Sequence, residues 1–105
     1  MNVNLTKARL TIERKRFIKG AFIFHYKIRE NWMIIDQNVN LENSPFCKVP
    51  AKTVIIGNLN ASCNEFMEYP IDCHIKGWAD FSRCRLEKKP IPSTFNVDGV
   101  LYNKD

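Results

Sequence analysis

Apolar and polar residues alternate with a period of two in short bursts along this chain, and the bursts share one arrangement around a central position. In Ile55-Ile56-Gly57-Asn58-Leu59-Asn60-Ala61 the residues two before, two after and four after the glycine are apolar, while most of those between them are polar. This period belongs to a β-strand with one buried face. It points Ile55, Leu59 and Ala61 inward and Ile56, Asn58 and Asn60 outward.

The arrangement recurs. Ile75-Lys76-Gly77-Trp78-Ala79-Asp80-Phe81 follows 20 residues later and Val97-Asp98-Gly99-Val100-Leu101-Tyr102 another 22 on. Ile35-Asp36-Gln37-Asn38-Val39-Asn40-Leu41 precedes by 20 with Gln37 in the glycine place, and a fainter copy, Ile18-Lys19-Gly20-Ala21-Phe22-Ile23-Phe24, comes 17 earlier still. The flanks keep step. Pro50, Pro70 and Pro92 each stand seven residues before their glycine, and Phe46, Phe66 and Leu86 fall nine after the anchor. Ser44, Asn64 and Cys84 fall seven after it. A fixed period near 20 is the mark of stacked units, none of which can bury its apolar face alone.

The expected fold is all-β, a short parallel β-solenoid of about four to five rungs in a single domain. Residues 1–34 form a basic N-terminal cap and first rung, and 35–105 the repeats. Ile35, Ile55, Ile75 and Val97 stack inside; Phe46, Phe66 and Leu86 make a second buried column. Asn38 and Asn58, and Asn40, Asn60 and Asp80, form outward columns whose side chains hydrogen-bond along the stack. Glycine permits close backbone approach or a corner, and proline, lacking a donor, belongs at turns between rungs. The rival architecture is a small antiparallel β-barrel of OB type, and Asp98-Gly99 fits a two-residue hairpin turn.

Upstream, Lys7 to Ile12 alternates as a strand, although the Leu5, Ala8, Ile12 spacing also fits a short helix. Ala21 to Ile28 alternates with Phe22, Phe24, Tyr26 and Ile28 on a core face and Ile23, His25, Lys27 and Arg29 opposite. Arg29-Glu30-Asn31 turns the chain into the buried run Trp32-Met33-Ile34-Ile35. Glu87-Lys88-Lys89-Pro90 reads as a protruding loop where the last repeat carries two extra residues.

The run Val49-Pro50-x-x-x-x-Ile55-x-Gly57-x-Leu59-x-Ala61, followed by Phe66 and Tyr69-Pro70, resembles bacterial and phage repeats of the form Leu-Pro-x-x-Leu-x-Val-x-Gly-x-Leu-x-Leu-x-x-Thr-x-Ile. Those repeats are superficially like leucine-rich repeats. The resemblance covers residues 35–105, with departures at Gln37, at the inward Ala positions and at Asn103. It implies a short β-solenoid and a general association with binding, and no activity.

Charge sharpens the N-terminal picture. Residues 1–30 carry a net +6 and residues 31–105 a net −1, so the total of +5 is local. Arg14, Lys15, Arg16 and Lys19 are candidates for contact with phosphate or an acidic surface; the plainer reading is the solvated cap of a solenoid. The cysteines at 47, 63, 73 and 84 lack close pairs, so they read as core residues or free thiols and no metal or other cofactor is expected. Cys73 and His74 are adjacent and fall on opposite strand faces, which disfavours a catalytic pair. Without a motif around His25 or His74 the chain does not read as an enzyme. No apolar run approaches a membrane span and no signal core opens the chain, so a cytoplasmic location without a membrane partner is expected.

The function expected is that of a non-catalytic protein-binding repeat module. Its partner surface comprises Trp78, Tyr102, Leu101, Ile23 and Ile56, aromatic residues being the usual interface anchors. The last rung stops shortly after Tyr102, and its edge is expected to pair with a second copy or a partner strand. The alternative is a small basic nucleic-acid-binding β-barrel, with Arg14, Lys15 and Arg16 on phosphate and Phe22, Phe24 or Tyr26 stacked on bases.

Overall fold

The structure, a computed structural model, describes residues 10–46, 48–66 and 68–105. It opens with helix α1 (Ile12–Gly20), started by Thr11, whose hydroxyl accepts from Arg14 N at 3.0 Å. Glu13 in the first turn and Lys19 in the last both suit the helix dipole. The helix places Phe17 in the core, edge-on to Phe46 at 5.6 Å. The Gly20-centred copy is thus no rung: a side chain at Gly20 would meet the Phe46 ring, not a neighbouring strand. The strand expected over Lys7–Ile12 lies outside the described residues except for its end, where Ile12 is helical.

Strands β1 (Tyr26–Arg29) and β2 (Trp32–Ile35) pair antiparallel across Glu30 and Asn31, at φ 51° and 69°. Two left-handed residues in succession make the hairpin turn whose twist suits the flanking strands. The remaining strands are two series: β4 (Thr53–Ile55), β6 (Cys73–Ile75) and β8 (Phe95–Val97) extend the sheet begun by β1 and β2. The second sheet comprises β3 (Val39–Asn40), β5 (Leu59–Asn60), β7 (Ala79–Asp80) and β9 (Leu101–Tyr102). Every pairing after the hairpin is parallel.

The chain is therefore a β-solenoid of about three turns, with one short helix among the described residues. Four strand pairs stack, and the fifth rung expected at the N-terminus is replaced by α1 and its connection. The barrel reading fails because Phe95–Val97 and Leu101–Tyr102 pair with different parallel neighbours rather than with each other across Asp98-Gly99.

Register follows the sequence spacing. Ile35, Ile55, Ile75 and Val97 are successive partners; the three isoleucines are fully buried and Val97 packs at the core's edge. Phe66 and Leu86 are buried in the expected second column, whereas Phe46 is half-buried beneath Phe17. Phe81 contacts Phe66, Tyr69 and Phe95 at ring-centroid distances of 5.2, 5.7 and 5.8 Å. Asn103, inward where an apolar residue was expected, donates to Tyr69 Oη at 2.9 Å, and that hydroxyl donates to Leu86 O at 2.9 Å.

Two kinds of corner bend each coil. At the glycine corner coils touch backbone to backbone, Gly77 N donating to Gly57 O and Gly99 N to Gly77 O at 3.1 and 3.0 Å. A Cβ on Gly99 would lie 2.8 Å from Gly77 O, so close approach, not backbone freedom, selects glycine. The other corners use left-handed residues that are not glycine: Asn43, Cys63 and Arg83 at φ 51°, 60° and 58°, and Lys52 and Asp72 at 59° and 47°.

Candidate functional site

The outer face of the second sheet carries two columns. In the one beside the glycines, Asn38 Oδ1 accepts from Asn58 N and Asn58 Oδ1 accepts from Trp78 N, both at 2.9 Å. Each amide thus caps the backbone of the next coil, rather than the next amide as expected. The column then changes character: Trp78 and Val100 occupy the following two places and are 38% and 56% exposed. In the neighbouring column Asn60 and Asp80 turn back on their own coils, accepting from Ser62 N at 3.1 Å and Ser82 N at 2.9 Å. Tyr102 ends it, half exposed, with its ring edge-on to Trp78 at 6.5 Å.

Of the expected partner residues, Trp78 and Tyr102 meet here. Leu101, between Val100 and Tyr102, faces the opposite way and packs against the core. Ile56 is exposed, but it lies beyond the glycine corner, where it lines a 220 Å³ hollow with His25, Tyr26, Lys27, Ile34 and Asp36. Ile23 is corrected outright. It is 3% exposed and plugs the core, while Phe22 and Phe24, assigned to the core face, are 70% and 76% exposed. The cause is the helix end: Ile23 N donates to Ile18 O at 2.9 Å and Phe22 turns left-handed, which reverses the alternation of this segment.

Gln37, in the glycine place of the first coil, holds that segment. Its Oε1 accepts from Phe24 N at 2.7 Å and His25 N at 3.0 Å, and its Nε2 donates to Phe22 O at 3.1 Å and Asn38 O at 3.2 Å.

Among the basic candidates, Arg14 is also corrected: it is buried, and its guanidinium donates to Asn31 O at 2.7 Å and Lys52 O at 3.3 Å, locking α1 onto the hairpin turn. A phosphate could not reach it without breaking that cap. Lys15, Arg16 and Lys19 are exposed on α1.

The remaining chemistry is modest. His74 Nε2 meets Asp98 Oδ1 at 2.8 Å across two coils, and that hydrogen bond holds the Asp98 carboxyl below its ordinary 3.8. Burial pushes the Cys73 thiol up to about 12, which makes it unreactive. A 550 Å³ cleft is lined by Cys63, Asn64, Glu65, Phe66, Arg83, Cys84 and Arg85. At its floor Cys84 Sγ donates to Ala61 O at 3.0 Å, the role Asn64 has one coil earlier toward Leu41 O. Among the described residues no group of three His, Cys, Asp or Glu side chains is placed to hold a metal ion, and no helix is long and apolar enough to cross a membrane.

The exposed Phe22 and Phe24 are the surface feature the sequence concealed. The signal available was Thr11 as a helix cap ahead of Glu13, with Phe17 and Ile18 at helical spacing. Compared with protein-family models, curated proteins and solved structures, this chain finds no match in any of the three.

Proposed function

We propose that the chain is a non-catalytic protein-binding module of cytoplasmic type, built like the short bacterial and phage repeat solenoids it resembles, and that it binds through the outer face of its second sheet. One observation carries this reading. Asn38 and Asn58 serve the backbone of the coil above, whereas Trp78, in the same column, gives up that bond and presents a large ring beside Val100 and Tyr102. A tryptophan there cannot cap the next coil as an asparagine does, and aromatic side chains flanked by polar ones are the usual anchors of interfaces. The adjoining edge strands β8 and β9 offer backbone pairing to a partner strand or a second copy.

Trp78→Asn separates fold from function, because an asparagine there continues the column and can accept from Val100 N. The expected result is an unchanged or higher melting temperature together with loss of the protein captured by the parent chain from nuclease-treated lysate. A Trp78→Asn, Tyr102→Ser protein that melts normally and still retains the same partner would defeat the proposal. Light scattering of the intact chain against Tyr102→Lys reads self-association separately.

A further inference from the structure

Phe22 and Phe24 project from the joint between α1 and the first coil, 70% and 76% exposed. Two rings left this exposed forgo most of the gain of burial, so they contribute little to the stability of the chain. Their support is nevertheless rigid. Every backbone N–H from Ala21 to His25 is bonded within the chain: Ala21 to Phe17 O, Phe22 to Lys19 O, Ile23 to Ile18 O, and Phe24 and His25 to Gln37 Oε1. Phe22 O and His25 O accept from Gln37 Nε2 and Asp36 N.

A tip in water has no need for every donor to be bonded within the chain, since water satisfies loop donors at little cost. A tip that enters an apolar medium gains from it, because each unbonded donor there would be costly. The same bonding leaves no free amide to grip a phosphate, which argues against a nucleic-acid strand as the occupant. The elements that flank the tip carry exposed cations, Lys15, Arg16 and Lys19 on α1 and Lys27 on β1, against the carboxylates of Glu13 on α1 and Asp36 beside His25, and Ile12 is 70% exposed on the same helix. Protruding aromatic rings with flexible cations behind them match the boundary between headgroups and acyl chains of an anionic bilayer.

We infer that Phe22 and Phe24 form an insertion tip that docks the N-terminal end of the solenoid on an anionic membrane surface. An interfacial contact of this kind needs no membrane-spanning helix, only a few apolar side chains and nearby positive charge.

The test is sedimentation of the full chain with sucrose-loaded vesicles of phosphatidylcholine alone or mixed equally with phosphatidylglycerol. The chain is expected to partition onto the mixed vesicles and far less onto the neutral ones. Phe22→Ser with Phe24→Ser should lower the partition coefficient by about a hundredfold, and Lys15→Gln with Lys19→Gln by about tenfold or more. Both variants should melt like the parent, because all four side chains are exposed. Failure to bind mixed vesicles, or binding that the serine variant leaves intact, would overturn the inference. So would binding of a single-stranded oligonucleotide, lost in the serine variant, without vesicle binding.

Discussion

Asn64 shows how much a single buried side chain carries in a coil this small. Its Oδ1 accepts from Ser44 N at 2.8 Å, and its Nδ2 donates to Leu41 O at 2.7 Å and Ala61 O at 3.1 Å, tying two coils at one corner. Removing it deletes these three hydrogen bonds, although Leu41 O keeps Ser44 N and Ala61 O keeps Cys84 Sγ, so Asn64→Ala should cost about 2 kcal/mol. Asn64→Cys should cost less, since Cys84 fills the equivalent place with a thiol donor; urea denaturation measures both. The spacing exposed this column without its role, as Ser44, Asn64 and Cys84 share no chemistry until their hydrogen bonds are seen. The left-handed corners were invisible for a related reason. Glycine is the usual sign of φ above zero, and here it stands instead where coils touch, while Lys52, Cys63 and Arg83 take the strained conformation.

Among the elements, the strands with inward alternation were legible because both sides of each glycine obey the same period. The turn at Glu30-Asn31 was legible too, lying between the charged end of β1 and an apolar run. The helix was not, because Ile18-x-Gly20-x-Phe22-x-Phe24 imitates a rung in composition while its preceding residues obey a helical period. That imitation inverts Ile23 and the two phenylalanines beside it in the sequence pattern, so one of the five expected partner residues lies in the core for a purely local cause. Between elements, the His74–Asp98 pair links β6 to the segment after β8 and gives a pH-dependent contribution of definite sign. Asp98 ionises more readily folded than unfolded, so its contribution is present above its ordinary 3.8 and is lost as pH falls through the lower folded value. In carboxyl NMR titrations the Asp98 midpoint should lie below 3.8 and return toward it in His74→Ala.

As a whole, the molecule is a short rod of 49 × 26 × 22 Å in which each coil packs only on its neighbours. Stability in such a stack is close to a sum of neighbour terms, so damage in the middle weakens two interfaces at once. Phe66, buried in the second coil against Phe81 of the third, is such a place. Phe66→Ala should cost roughly 3 to 5 kcal/mol, a large share of what a domain this size possesses. A thermal midpoint equal to that of the parent chain would contradict the neighbour packing. Hydrogen exchange should be slowest in β4 and β6, which have coils on both sides, and fastest in β8 and β9.

The equal spacing of the first three coils also makes the protein adjustable in length. Copying residues 57–76 in tandem would place a second Gly57 on the first and a second Asn58 beneath Trp78, so every column would run on undisturbed. Each copy should add one step of about 4.8 Å to the rod, measurable by small-angle scattering, with no loss of melting temperature. The Phe22–Phe24 tip and the Trp78–Tyr102 pair would then move apart in fixed increments, as marks on a ruler do. A chain that engages partners at both marks would bridge only those gaps that a whole number of coils can span.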